Sequence, residues 1–496
     1  MTRGWFLCWF LCSDDSEKEV STMNIQKRVL LIVAGFLCSA PLWGQFAPAP
    51  QHEEAYSVIL GQPSGKTKGR QSIKQVSFEE TISVEGAPWL RLQFSDYNLG
   101  VHSYIVMTSV EDGAQQRLDG RTLPQWSNAS AFFNGDSVVL ELHVEQGETG
   151  IYVSIEKLNV GERGAAKSAA EADGGIETQC GSVDNRVASN DNRAGRIING
   201  CTAWLVSNGA VLTAGHCVDW DPDGGGPLLP DGVLDLWGSF SVNVPASDPD
   251  GTINQSAPED QFPIDTSNVT WRFDGSGQGL GKDWAVFGIF PNANGERAHL
   301  REGFYRMTRQ NPAASDSMRI TGYGVDTGVD NKTLQTSIGP YLNETTGNVP
   351  ADIYHRYQVD TEGGNSGSPI IWRTPSPDFT VGIHTNGGCS NPVGSTGNAG
   401  TSFEVDALEI AIRDFHGFGP EYVDAVPQPN NPGESGAVLR PYVGVANAVS
   451  DVPNNGRVII VEGSYPKAAG GNTFTAGEDG KAMTFLAPVG TVVIGN

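Results

Sequence analysis

The chain has 496 residues, with 57 acidic against 32 basic side chains and a formal charge of −25 at pH 7. That length exceeds what one hydrophobic core serves, so two to four domains are expected. At 39% hydrophobic residues, with 62 Gly and 29 Pro, the composition is that of a globular protein built on turns and short strands. The acidic balance argues against a nucleic-acid binder, which needs a basic face against phosphate.

Lys27 and Arg28 precede the apolar run 29–37, and Ser39, Ala40 and Pro41 follow it. A charged start, a short apolar run and a small-residue exit read as a secretory signal peptide beginning at Met23, within a leader of residues 1–44. The run falls short of the about 20 apolar residues a bilayer demands, so no membrane span is expected. Residues 1–22, with Asp14, Asp15 and Glu17, fit no such signal and read as an over-extended start. The expected location is extracellular.

Cys8, Cys12 and Cys38 fall in the leader, leaving Cys180, Cys201, Cys217 and Cys389. In an exported chain these four read as two disulfides, with three connectivities open. Without a CxxC pair, no structural zinc site is expected, and no metal is assigned.

Residues 45–160 alternate apolar and polar positions between Gly, Asn and Asp, as in Trp89-Leu90-Arg91-Leu92-Gln93-Phe94 and Val138-Val139-Leu140-Glu141-Leu142. That pattern predicts a small antiparallel β-sandwich, a pro-region or accessory module. Residues 161–177 are small and polar without apolar period, a linker. The largest unit follows at 178–420, closing on Val405, Leu408, Ile412 and Phe415 at helical spacing before Gly417 and Pro420. A Pro/Asn-rich linker at 421–436 leads to a β-rich tail, 437–496.

Three short blocks within 178–420 carry chemistry: Leu212-Thr213-Ala214-Gly215-His216-Cys217, Lys282-Asp283-Trp284-Ala285-Val286, and Gly363-Gly364-Asn365-Ser366-Gly367-Ser368-Pro369. A serine hydroxyl is a weak nucleophile until an imidazole takes its proton. That imidazole in turn needs a buried carboxylate to hold its tautomer. The Gly363-Gly364 pair permits a sharp turn that aims the N–H groups of Gly364 and Ser366 at one oxyanion.

In motif, order and spacing, this half of the chain resembles the chymotrypsin-like serine peptidases, and among them the bacterial glutamyl endopeptidases. The resemblance implies two antiparallel β-barrels, making the chain mainly β. It implies His216 as general base, Asp283 as its orienter and Ser366 as nucleophile, acting on protein or peptide substrates. It implies a disulfide between Cys201 and Cys217 beside His216, which leaves Cys180 with Cys389. No cofactor is implied, and a monomer is expected. The tail resembles the first coils of right-handed parallel β-helix proteins, whose repeats need stacked neighbours.

Two readings of specificity stand. Thr361 and His384 occupy the pocket positions of glutamyl endopeptidases, and a hydroxyl with an imidazole donor suits an acidic P1 side chain. Asp360 stands six residues before Ser366, where trypsin-like enzymes carry the aspartate that selects Lys or Arg. The Arg196-Ile197-Ile198-Asn199-Gly200 run looks like a zymogen activation site, but Asn365 carries no charge to pair with a new amine. Asp219-Trp220-Asp221-Pro222-Asp223-Gly224 has the start of a calcium loop, yet Pro230 replaces the glutamate of its twelfth position. A solvated acidic turn is the better reading, with calcium as the alternative. A different class of function also stands: a surface-binding or adhesion protein with a silent peptidase core.

Overall fold

The structure, a computed structural model, describes residues 48–62, 78–164, 179–198, 200–219, 232–275, 279–347, 349–375, 377–389, 397–430, 433–466 and 480–495. The leader, most of the 161–177 linker and most of the acidic turn at 219–224 lie outside the described residues. Among the described residues, no helix is long and apolar enough to cross a membrane.

The described strands between Gln51 and Gly161 form two four-stranded antiparallel sheets. One runs Gln51–Gly61, Tyr152–Gly161, Trp89–Asn98, Phe133–Asn134; the other runs Phe78–Ser83, Ser137–His143, Tyr104–Ser109, Gln115–Asp119. Strand Ser137–His143 alternates strictly between buried and half-buried positions, because successive side chains leave opposite faces of a strand. Val138, Leu140 and Leu142 therefore share one core with Leu92, Phe94 and Ile155.

Two closed six-stranded antiparallel barrels follow, as the resemblance implies. The first takes Ala194–Ile197, Cys201–Leu205, Val211–Thr213, Trp284–Ile289, Gln261–Arg272 and Ser239–Ser241 around its ring. Phe240, Phe262 and Phe287 fill it. A Cβ on Gly195 would sit 2.4 Å from the Phe240 ring, so that strand needs glycine there. The second barrel takes Phe379–Asn386, Pro369–Trp372, Ser317–Gly322, Gln335–Thr346, Ile353–Tyr357 and Asn398–Ser402, and pairing of the last with the first closes it. Helix Asp406–Asp414 follows, burying Leu408 and Ile412.

The C-terminal strands pair in parallel: Pro420–Val423 with Gly456–Ile460, that strand with Met483–Leu486, and Gly463–Tyr465 with Val492–Ile494. This sheet begins at Pro420, upstream of the Pro/Asn-rich stretch that reads as a linker. A parallel partner arrives through a long crossover, so no local turn signal announces it. Tyr422, Ile459, Val461 and Val489 join the apolar cluster that extends from the first barrel.

Candidate active site

His216 sits on the short 3-10 turn Gly215–Cys217 that ends strand Val211–Thr213. Thr213 pairs with Ala285 of the neighbouring antiparallel strand, and continuing that register two residues brings Asp283 beside Gly215. Asp283 Oδ1 accepts the His216 backbone N–H at 2.9 Å, and Oδ2 lies 2.6 Å from His216 Nδ1. Both side chains are buried. The carboxylate thus holds the imidazole by ring and backbone together, which sets the Nδ1–H tautomer and turns Nε2 to the other side. Thr401 of the second barrel donates its hydroxyl to the Asp283 carbonyl at 2.8 Å. The ring edge of Phe273 stands 5.7 Å from the imidazole, centroid to centroid.

Ser366 lies on the turn before strand Pro369–Trp372, and Thr202 of the first barrel clasps that turn. The Thr202 N–H donates to the Ser366 carbonyl at 2.9 Å, and its hydroxyl donates to the Gly364 carbonyl at 2.9 Å. Thr213 Oγ1 in turn donates to the Thr202 carbonyl at 2.8 Å. Gly367 has φ +86°, and a Cβ there would stand 2.1 Å from the Thr202 carbonyl and 3.0 Å from Ala214 N. Only glycine lets the serine turn sit this closely on the strand end that carries His216. Ser366 Oγ and His216 Nε2 are both buried without a hydrogen-bond partner among the described residues.

Gly364, at φ +98°, needs glycine twice over, since a Cβ would also meet the Tyr323 carbonyl at 2.5 Å. Neither its N–H nor that of Ser366 is donated to another group among the described residues, while the Asn365 N–H between them goes to the Glu362 carbonyl at 3.0 Å. Two uncommitted donors beside a buried hydroxyl are what an oxyanion site demands.

His384 and Thr361 are fully buried in the second barrel. Tyr357 OH lies 2.5 Å from His384 Nδ1. Burial, reinforced by nearby His216 and opposed by a hydrogen bond with the Ala399 backbone, pushes His384 down to about 3. Burial also raises Tyr357, so at neutral pH a protonated phenol donates to a neutral imidazole. The His384 proton is then on Nε2. Thr361 Oγ1 accepts from Asn398 Nδ2 at 2.9 Å, and the same amide donates to the Val359 carbonyl at 2.8 Å. Sequence reading missed Tyr357, Asn398 and Thr202. The Tyr357–Asn398 strand pair exists only through barrel closure, so no local motif could point to it.

Asp360 is bound by the chain itself. Both carboxylate oxygens are taken by backbone donors, Cys180 N–H at 2.6 Å and Asn185 N–H at 2.8 Å. Both bonds tie it to the segment entering the first barrel. Cys180 is disulfide-bonded to Cys389, with Cα atoms 4.9 Å apart, and Cys201 to Cys217 at 6.1 Å. Cys201, His216 and Cys217 bring donor atoms within 4.8 Å of one another, but the sulfurs are bonded to each other and offer no thiolates. That set does not fit a metal. Ile197, in the run that looks like an activation site, is a buried strand residue paired with Cys201 and Phe240. The buried Arg196 donates to Asn254 O and Gln255 Oε1.

Residues 173–399 match the family described as Trypsin, in keeping with the two barrels. A curated relative, the "Extracellular metalloprotease" of Bacillus subtilis (strain 168), is 28% identical over 199 residues. The match covers 40% of this chain and 54% of the relative, so the chain spans about half the length of the curated relative it matches. Among solved structures, a Glu endopeptidase in complex with MPD is 19% identical at a TM-score of 0.32, covering 47% of this chain and 99% of that one. Protease Anisep from Arthrobacter nicotinovorans is 18% identical at 0.30, covering 44% and 93%.

Proposed function

We propose that this chymotrypsin-like domain, residues 178–420, is a secreted serine endopeptidase that cleaves after an acidic residue. The observation that carries the reading is the two-point hold of Asp283 on His216, beside a buried Ser366 hydroxyl without a partner among the described residues. In the proposed reaction His216 Nε2 takes the Ser366 proton as Oγ bonds the scissile carbonyl carbon. The negative charge that develops on the carbonyl oxygen falls to the Gly364 and Ser366 N–H groups. Collapse breaks the C–N bond, and the leaving amine takes the proton back from Nε2. Water then repeats the sequence on the acyl-enzyme and restores the serine.

Acidic specificity is supported by His384 and Thr361, both buried and both at the positions that glutamyl endopeptidases use for an acidic P1 side chain. The engagement of Asp360 with Cys180 and Asn185 removes the main ground for a Lys or Arg preference. Export is supported by the leader pattern and by two disulfides, which persist in oxidising compartments. Cleavage after Glu177, which lies outside the described residues, would place a new amine on Thr178, two residues before the anchored Cys180. That positive charge would favour an acidic P1 group.

Fluorophosphonate labelling with a peptide-library profile tests the proposal. Ser366 is expected to be the labelled residue and the cleavage products to end in Glu or Asp. A protein that binds surfaces but leaves Ser366 unlabelled refutes the enzyme reading. Products ending in Lys or Arg refute the specificity alone.

A further inference from the structure

We infer that residues 48–164 remain bound to the first barrel, as a permanent non-covalently held module, after the segment that joins them is cut. Processing would then trim the chain without releasing the module. The inference goes beyond the proposed activity and does not depend on it.

Two side-chain amides knit the module to the barrel reciprocally. Gln261, fully buried in the barrel, accepts the Phe132 N–H at Oε1 and donates Nε2 to the Phe132 carbonyl, both at 2.9 Å. From the module side, Asn134 donates Nδ2 to the Gln255 carbonyl at 2.9 Å and accepts the Gln255 N–H at 2.7 Å. Each amide imitates a strand partner and satisfies both backbone groups of the residue opposite. Separation would leave buried polar groups to be rehydrated on both faces at once.

Around these bonds lies a shared apolar cluster. Ala49, Trp89 and Phe132 of the module pack with Ile198, Ile253 and Trp237 of the barrel. The Arg91 guanidinium stands 5.1 Å from the Phe132 ring and 5.2 Å from the Trp237 ring, between side chains from the two partners. Arg91 is only 3% exposed, and burial lowers it to about 10. Departure of the module would uncover Trp237, Ile198 and Ile253 together, the kind of patch a lone soluble domain rarely shows. Lys332 Nζ donates to the Pro48 carbonyl at 2.9 Å.

These contacts fall on Ile198, Trp237, Gln255, Gln261 and Lys332, whereas the site is built from His216, Asp283, Gly364, Ser366 and His384. The module therefore holds the barrel through a surface other than the residues of the proposed chemistry, and nothing in this docking requires it to leave. An inhibitory pro-segment would be expected to fill the cleft; this one grips the flank of a barrel.

The test inserts a site-specific protease sequence between Gly174 and Gly175 in a Ser366→Ala chain, so that the protein does not cut itself. After cleavage to completion, read on a denaturing gel, size-exclusion chromatography is expected to give one peak at the mass of the uncut chain. That peak should persist at high salt, because buried amides and aromatic rings hold the interface, and its Arg163–Asp248 ion pair, at 3.9 Å, is exposed and weak. Two separate peaks would overturn the inference. A second chain carrying Gln261→Ala and Phe132→Ala is expected to fall apart once cut. Co-elution of its fragments as firm as that of the parent would show that another surface holds them, and would overturn it equally.

Discussion

The Asp360 carboxylate accepts the backbone N–H of Cys180 at 2.6 Å, across 180 residues of sequence. Its second oxygen accepts the Asn185 N–H, so one side chain fastens both ends of the segment leading into the first barrel. Gln179 adds a bond to Glu362 at 2.9 Å, beside the Gly363-Gly364 turn. The entry segment and the loop before Ser366 are thus tied at several points. The charge of Asp360 serves the chain itself.

Asp360→Asn tests this directly. An amide can accept one of the two N–H groups, but its NH2 faces the other and leaves a buried donor unsatisfied. The expected cost is about 1–3 kcal/mol of stability, read as a lower denaturant midpoint, with no change in which P1 residue is preferred. Loss of a Lys or Arg preference at unchanged stability would instead make Asp360 a selector.

Removing the proposed nucleophile or its support should act on turnover with little effect on the fold. Ser366→Ala deletes one oxygen that has no hydrogen bond among the described residues, so thermal unfolding should barely move while kcat falls by about 10⁴-fold or more. Asp283→Asn keeps the shape but presents an NH2 group toward His216, favouring the wrong tautomer, with a loss of about 10⁴-fold in kcat. A Ser366→Ala protein that cleaves at the parent rate would end the assignment.

The parts of the site legible in sequence are those in which chemistry and spacing are local. The His216 and Asp283 blocks each hold their key residue at the end of an apolar strand, and the barrel register then brings them together. What escaped was every relation made by closure. Cys180 and Asn185 reach Asp360, and Tyr357 meets Asn398, only after the second barrel has formed its ring. The same holds for the tail, where Pro420–Val423 finds its parallel partner at Gly456–Ile460. The docking of the sandwich rests on Gln261, Asn134 and a few aromatics, residue types that carry no sequence signature of an interface.

Stability should fall as pH drops below about 6.5. Burial lowers His299 and His355 to about 4 and His384 to about 3. His355 is held by Tyr341 OH at 3.0 Å and Val381 O at 3.1 Å, with Glu344 at 3.8 Å; His299 meets Ala210 O at 3.0 Å. Unfolded, each imidazole binds a proton below about 6.5; folded, it does not until pH nears 4 or 3. The unfolded chain therefore takes up more protons in that window, and each group removes up to about 1.4 kcal/mol per pH unit. Glu421, raised to about 7 chiefly by burial, works in the opposite sense but is half-exposed and weaker. Denaturant midpoints measured between pH 7 and 5 should decline, and His355→Gln should flatten the slope. A midpoint that stays constant or rises on acidification would contradict the buried neutral state of these histidines.

Tyr357→Phe separates a positioning role from a packing one in the pocket. The ring that packs beside His384, with centroids 6.0 Å apart, is kept, and only the hydroxyl that donates to Nδ1 is lost. Without that donor the tautomer and orientation of His384 are no longer held, and with them the imidazole's proposed contact with an acidic P1 carboxylate. A hydrogen bond to a charged group contributes about 1.5–3 kcal/mol, so kcat/KM on Glu peptides should fall about 10- to 100-fold. Peptides with a neutral P1 residue do not use the donor and should lose little. His384→Ala should show the same selective loss, and Thr361→Val a smaller one, because Thr361 Oγ1 already accepts from Asn398. Parallel kcat/KM measurements on Glu and neutral peptides decide the matter. An equal fall on both would reduce Tyr357 to packing, and no fall on Glu peptides would remove His384 from the specificity pocket.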